Sequence, residues 1–98
     1  MALEIKWSKK ADRSFDMILE YLTKEWGEKV SKAFVRKAYD LFDILSEFPE
    51  IGTVENQEKN IRGIVIVKQI IIFYTIRENK IILLDFFDCR KNPETKIL

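Results

Sequence analysis

Apolar residues run almost unbroken from Ile61 to Asp88 (IRGIVIVKQIIIFYTIRENKIILLDFFD), with polar breaks only at Lys68-Gln69 and Glu78-Asn79-Lys80. The stretch is rich in Ile, Val and Phe, which suit a pleated, half-buried surface. The pattern predicts three consecutive strands over 61–67, 70–77 and 80–88, joined by two tight turns. Asn79 tolerates positive φ and supports a hairpin at the second turn. The first turn lacks glycine and leaves its register open. Uncovered, such a segment would aggregate, so the rest of the chain must cover at least one of its faces.

Upstream, Leu3, Ile5 and Trp7 alternate with Glu4 and Lys6, the period of a short strand with one buried face. Ser8 follows as a helix N-cap, its hydroxyl accepting from a free N–H of the first turn. Ala11, Phe15, Ile18, Leu22 and Trp26 then fall at steps of three and four and form one helical stripe. Gly27 ends that helix. A second stripe, Val30, Phe34, Ala38, Leu41, Leu45 and Phe48, starts almost at once, and Pro49 stops it. Two amphipathic helices joined this tightly make an antiparallel helical hairpin. Trp7 and Trp26 are expected as core anchors. Glu50–Asn60 is polar, contains Gly52, and reads as an irregular connection of unusual length.

The whole therefore reads as one domain over residues 1–98, of the α+β class. An N-terminal strand and a two-helix antiparallel hairpin precede a three-stranded antiparallel meander. The sheet is expected to have three or four strands, with helices on one face and a partly open second face on which partners bind. Phe73 and Tyr74 should point to opposite faces, one into the core.

Composition narrows the chemistry. The chain has no histidine and one cysteine, Cys89, which removes the commonest neutral-pH base and makes a structural zinc site implausible. The three glycines form no phosphate-binding loop, so no cofactor and no metal are expected. Residues 1–59 carry 10 Lys/Arg against 12 Asp/Glu and residues 60–98 carry 7 against 4, so the sheet half is mildly basic. That hints at an anionic partner without the dense basic stripe of a dedicated nucleic-acid binder. Met1–Trp7 lacks the apolar core of a signal peptide, and no apolar run reaches the roughly 20 residues of a membrane span. A cytoplasmic protein is expected.

In this order, several short patterns resemble the RelE/ParE superfamily of bacterial type II toxins, from toxin–antitoxin (plasmid stabilisation) systems. They are Ile18-Leu19-Glu20-Tyr21-Leu22 in the first helix, Leu45, Pro49 and Gly52 at the end of the second, and Ile61-Arg62 opening a strand. Ile72, Tyr74 and Ile76 follow in the middle strand, and Arg90 and Pro93 after the last. The resemblance implies a toxin neutralised by a cognate antitoxin laid over it, and allows a homodimer. RelE-like members cut mRNA on the ribosome with residues of the open sheet face; ParE-like members poison DNA gyrase and lack that set.

The resemblance also assigns residues. Arg62, Lys68, Arg90 and Lys91 become contacts for target or antitoxin, and Arg62, Lys68, Asp88 and Arg90 the candidates for any catalytic role. Arg and Lys could stabilise a phosphorane by charge-assisted bonds. Asp88 stands where some members have His, and could act as a base only if burial raised its pKa; otherwise it is a surface acid. The Arg that many nucleases carry in the middle strand is replaced here by Gln69, Ile70 and Ile71. This favours a ParE-like binder; the alternatives are a metal-independent, ribosome-dependent mRNA endoribonuclease with a non-standard site and an inactive relic that still binds antitoxin.

Overall fold

A computed structural model describes residues 2–89. In chain order the elements are β1 (Glu4–Trp7), α1 (Lys9–Trp26), α2 (Glu28–Glu47), β2 (Thr53–Asn56), β3 (Ile61–Val67), β4 (Ile70–Arg77) and β5 (Lys80–Asp88). The strands form one five-stranded sheet in the order β1-β5-β4-β3-β2. β1 runs parallel to β5 and the other pairs are antiparallel. The helical hairpin and the meander are those expected. The sheet is larger than the three or four strands predicted, because Thr53–Asn56, expected to be irregular, pairs with β3 as an edge strand. Its polar composition concealed it: an edge strand needs no continuous apolar face.

Local chemistry explains the joints. Ser8 caps α1 by accepting from the Ala11 N–H at 3.0 Å, and its own hydroxyl donates to the Leu84 carbonyl at 3.2 Å. The helix start is thereby tied to β5. Ser14, nearly two turns on, accepts from the Phe86 N–H at 3.0 Å. Gly27 has φ 92°, a value that L side chains avoid, and is the single residue between α1 and α2. Glu78 and Asn79 both have positive φ (50° and 61°), the signature of a two-residue hairpin turn whose twist matches its strands. The Lys68-Gln69 turn closes with a register shift between Val65 and Val67.

The core lies between the hairpin and one sheet face. Ala11, Phe15, Ile18 and Leu22 of α1 and Phe34, Ala38, Phe42 and Leu45 of α2 meet Ile70, Ile72, Tyr74, Ile81, Leu83 and Phe86. Trp7 packs edge-on against Phe15 (5.1 Å) and Phe42 (5.5 Å) and stacks on Phe86 (5.3 Å). The α2 stripe is rotated from the expected one. Phe42 is buried, while Val30 and Phe48 are exposed. Trp26, expected as a core anchor, is 62% exposed. The hairpin turns at Gly27, so residues flanking the elbow overhang the sheet instead of covering it. Phe73 and Tyr74 do face opposite ways, yet both are buried. Phe73 lies over Gly63, where an added Cβ would be 3.1 Å from its ring, and beside Phe87.

Candidate functional site

Arg62, expected on the open face, stands directly opposite Tyr74, and so shares the helix-side face of the sheet. Its Nη1 donates to the carbonyls of Glu50 (3.1 Å) and Gly52 (2.9 Å). Its Nε is buried without an acceptor among the described residues. The Tyr74 hydroxyl donates to the Pro49 carbonyl at 2.8 Å and accepts from the Gly52 N–H at 3.0 Å. Burial pushes the Tyr74 phenol above its ordinary range, against the Gly52 N–H and the Arg62 charge, which pull it down. The phenol is therefore neutral at pH 7, with a proton to donate. Pro49, Gly52, Arg62 and Tyr74, which carried much of the resemblance, thus form one clamp that fixes the turn after α2 to the sheet.

The other candidates lie elsewhere. Lys68 is exposed in the β3–β4 turn. Asp88 is not a surface acid: it is 8% exposed, opposite Ile70, and Cys89 N–H donates to the Gln69 carbonyl at 2.8 Å beside it. Lys68 and Asp88 therefore share one end of the sheet. Arg62 pairs with Tyr74, four residues away along β4, which is roughly 13 Å of strand. These three do not converge on one substrate position. Arg90 and Lys91 lie outside the described residues.

Concave surfaces among the described residues include a polar one of about 590 Å³ at the β2–β3 edge, lined by Val54, Glu55, Gln57, Asn60 and Arg62, and two others. On the open face, Ile61, Thr75, Ile82 and Leu84 floor a shallow depression of about 610 Å³, with Lys59 and Arg77 at its rim. On the helix side, an apolar groove of about 360 Å³ runs between the helical elbow and the β3–β4 turn. Leu22, Trp26, Val30, Phe34, Val67 and Ile70 line it, with Lys37 beside them. The stripe pattern had placed Trp26 and Val30 in the core; the signal for a groove was that both flank Gly27, where no single face can bury them. Among the described residues no cluster of His, Cys, Asp and Glu could hold a metal ion, and no helix is long and apolar enough to cross a membrane.

Comparison with known proteins bears on the whole chain. A family profile described as the ParE toxin of type II toxin–antitoxin systems, parDE, matches residues 5–93. No curated protein matches the sequence. Among solved structures, a chain of the chromosomal ParDE system of P. aeruginosa superposes with a TM-score of 0.74 at 13% identity, covering 89% of this chain and 96% of that one. A conserved hypothetical protein of Helicobacter pylori gives 0.56 at 16% identity, covering 88% and 93%. A copper-bound mutant toxin from Helicobacter pylori gives 0.59 at 13% identity, covering 92% and 98%. At such identities these structures establish the fold.

Proposed function

Because the chain belongs to the ParE toxin family of type II toxin–antitoxin systems, we propose that it acts by binding a target such as DNA gyrase, not by cutting RNA. A cognate antitoxin neutralises it by occupying the apolar groove at the helical elbow.

The observation that carries the binding reading is the use made of Arg62. A metal-free ribonuclease needs a cation at the phosphorane and a titratable group beside it. The guanidinium of Arg62 is committed to two main-chain carbonyls on the helix side. At the start of the middle strand, Gln69, Ile70 and Ile71 stand where the resemblance would place a nuclease's Arg. The groove supports the antitoxin reading. Trp26 and Val30 expose apolar surface to solvent at its rim, the arrangement into which an apolar anchor of a helical or extended segment fits.

The test is a pair of assays on the purified protein: supercoiling by DNA gyrase, and cleavage of ribosome-bound mRNA. Inhibited supercoiling with intact mRNA is the expected result. Cleaved mRNA with unimpeded gyrase would reverse the assignment and make this an endoribonuclease with a rearranged site.

A further inference from the structure

We infer that the corner where α2 meets β2 is a second docking surface, shaped for a basic amphipathic segment of another protein. Four large apolar side chains are exposed there within eleven residues: Ile44 (47%), Phe48 (62%), Ile51 (46%) and Val54 (46%). Ile44 and Phe48 are one helical turn apart on the same flank of α2. The Ile51 N–H donates to the Phe48 carbonyl at 3.2 Å, continuing the line past the helix end. Val54 faces Arg62 across the edge of the sheet.

This corner is tied to the sheet by side-chain hydrogen bonds. The bonds from Tyr74 to Pro49 and Gly52, and from Arg62 to Glu50 and Gly52, hold its main chain from the inside. Exposed apolar side chains on a rigid frame lose little freedom when a partner covers them, which favours binding. A contiguous apolar patch of this kind on a small protein marks an interaction surface.

Charge selects the partner. Residues 38–58 contain six carboxylates and no Lys or Arg. Glu47 lies between Ile44 and Phe48 on the helix, and Glu50 precedes Ile51; both are exposed. Arg62 adds one positive charge inside the region, its Nη1 donating to the main chain, and leaves the carboxylates in excess. Nucleic acid is repelled by such a surface, and an acidic peptide likewise. A segment with apolar anchors between lysines or arginines satisfies both the patch and its field. From Lys37, the groove residue furthest along α2, to Ile44 the helix rises about 10 Å, so this surface begins roughly two turns beyond the groove at the elbow and shares no lining residue with it. The inference does not depend on the identity of the toxin's target.

The test titrates the intact, isotope-labelled chain with two synthetic peptides that share one leucine pattern. One carries lysine at its polar positions and the other glutamate. The lysine peptide is expected to bind saturably, to shift amides of residues 44–54, and to bind at least tenfold more tightly than the glutamate peptide. Phe48→Ser with Ile51→Ser should weaken it at least tenfold, and Trp26→Ser should leave it unchanged. Glu47→Lys with Glu50→Lys should reverse the preference; this pair retains every apolar side chain, so it tests the surface even if the serine pair lowers the melting temperature. Equal affinity for the two peptides, shifts spread over α1, or indifference to both corner variants would overturn the proposal. So would a dimer of the free chain that the serine pair dissolves, since the surface would then belong to a second copy.

Discussion

At Gly52 there is no room for a methyl group: a Cβ built there would lie 2.5 Å from the Tyr74 hydroxyl oxygen and 3.0 Å from the Gly63 carbonyl. Gly52→Ala should therefore cost at least about 2 kcal/mol, as overpacking of a fixed site does, read as a lowered midpoint in urea unfolding. Tyr74→Phe removes the donor to Pro49 and leaves the Gly52 N–H buried without an acceptor, a loss of about 1–3 kcal/mol. The same phenol sets a pH dependence. Its folded pKa is raised, so the folded state keeps the proton that the unfolded chain releases first. The stabilisation is complete below the ordinary tyrosine pKa of about 10 and is lost as pH rises through the folded value. Melting temperatures measured from pH 8 to 11 should fall more steeply for the native protein than for Tyr74→Phe; parallel curves would show that Tyr74 does not drive the alkaline loss.

Among the elements, the strongly patterned ones were legible in the sequence and the edge features were not. Two helical stripes and three apolar strands announced themselves by period, as did the Ser8 cap and the Glu78-Asn79 turn. β2 carried no such signal, because Thr53–Asn56 pairs along one edge only and exposes Val54. The stripe of α2 was misphased, since Val30 and Phe48 fit the spacing as well as Phe42 fits the core. Periodicity reports which residues are apolar, whereas the hairpin geometry at Gly27 decides which of them reach the sheet. The candidate site suffered most. Arg62 and Tyr74 were visible as a pattern, but only register puts them on one face, aimed at the Pro49–Gly52 turn. Trp26, freed from the core, makes a prediction at this scale. Trp26→Ser should leave stability within about 0.5 kcal/mol, as an exposed substitution does, yet weaken antitoxin binding at least tenfold by calorimetry. Unchanged antitoxin affinity would move that interface away from the elbow.

For the molecule as a whole, the decisive strand is β5. It pairs with β1 on one side and β4 on the other, receives the Ser8 and Lys10 contacts of α1, and carries Phe86 into the aromatic cluster. Among the described residues, β1 is the strand that covers that edge. Removing residues 1–7 would expose the Lys80–Asp88 edge and delete Trp7, leaving a long apolar strand with unpaired main-chain groups. The shortened chain should aggregate at micromolar concentration, seen as rising light scatter, while the intact chain stays clear. A shortened chain that remained dispersed, with an unchanged melting temperature, would show that the edge needs no cover.

That arrangement has a genetic consequence. Among the described residues, the strand that joins the N-terminal element to the rest is the last in chain order. A premature stop anywhere ahead of Lys80 therefore yields neither a closed sheet nor a packed hairpin, but a fragment fit for proteolysis. Almost any nonsense or frameshift mutation ahead of that strand should therefore leave no folded product, which measuring the level of chains truncated before Lys80 would check.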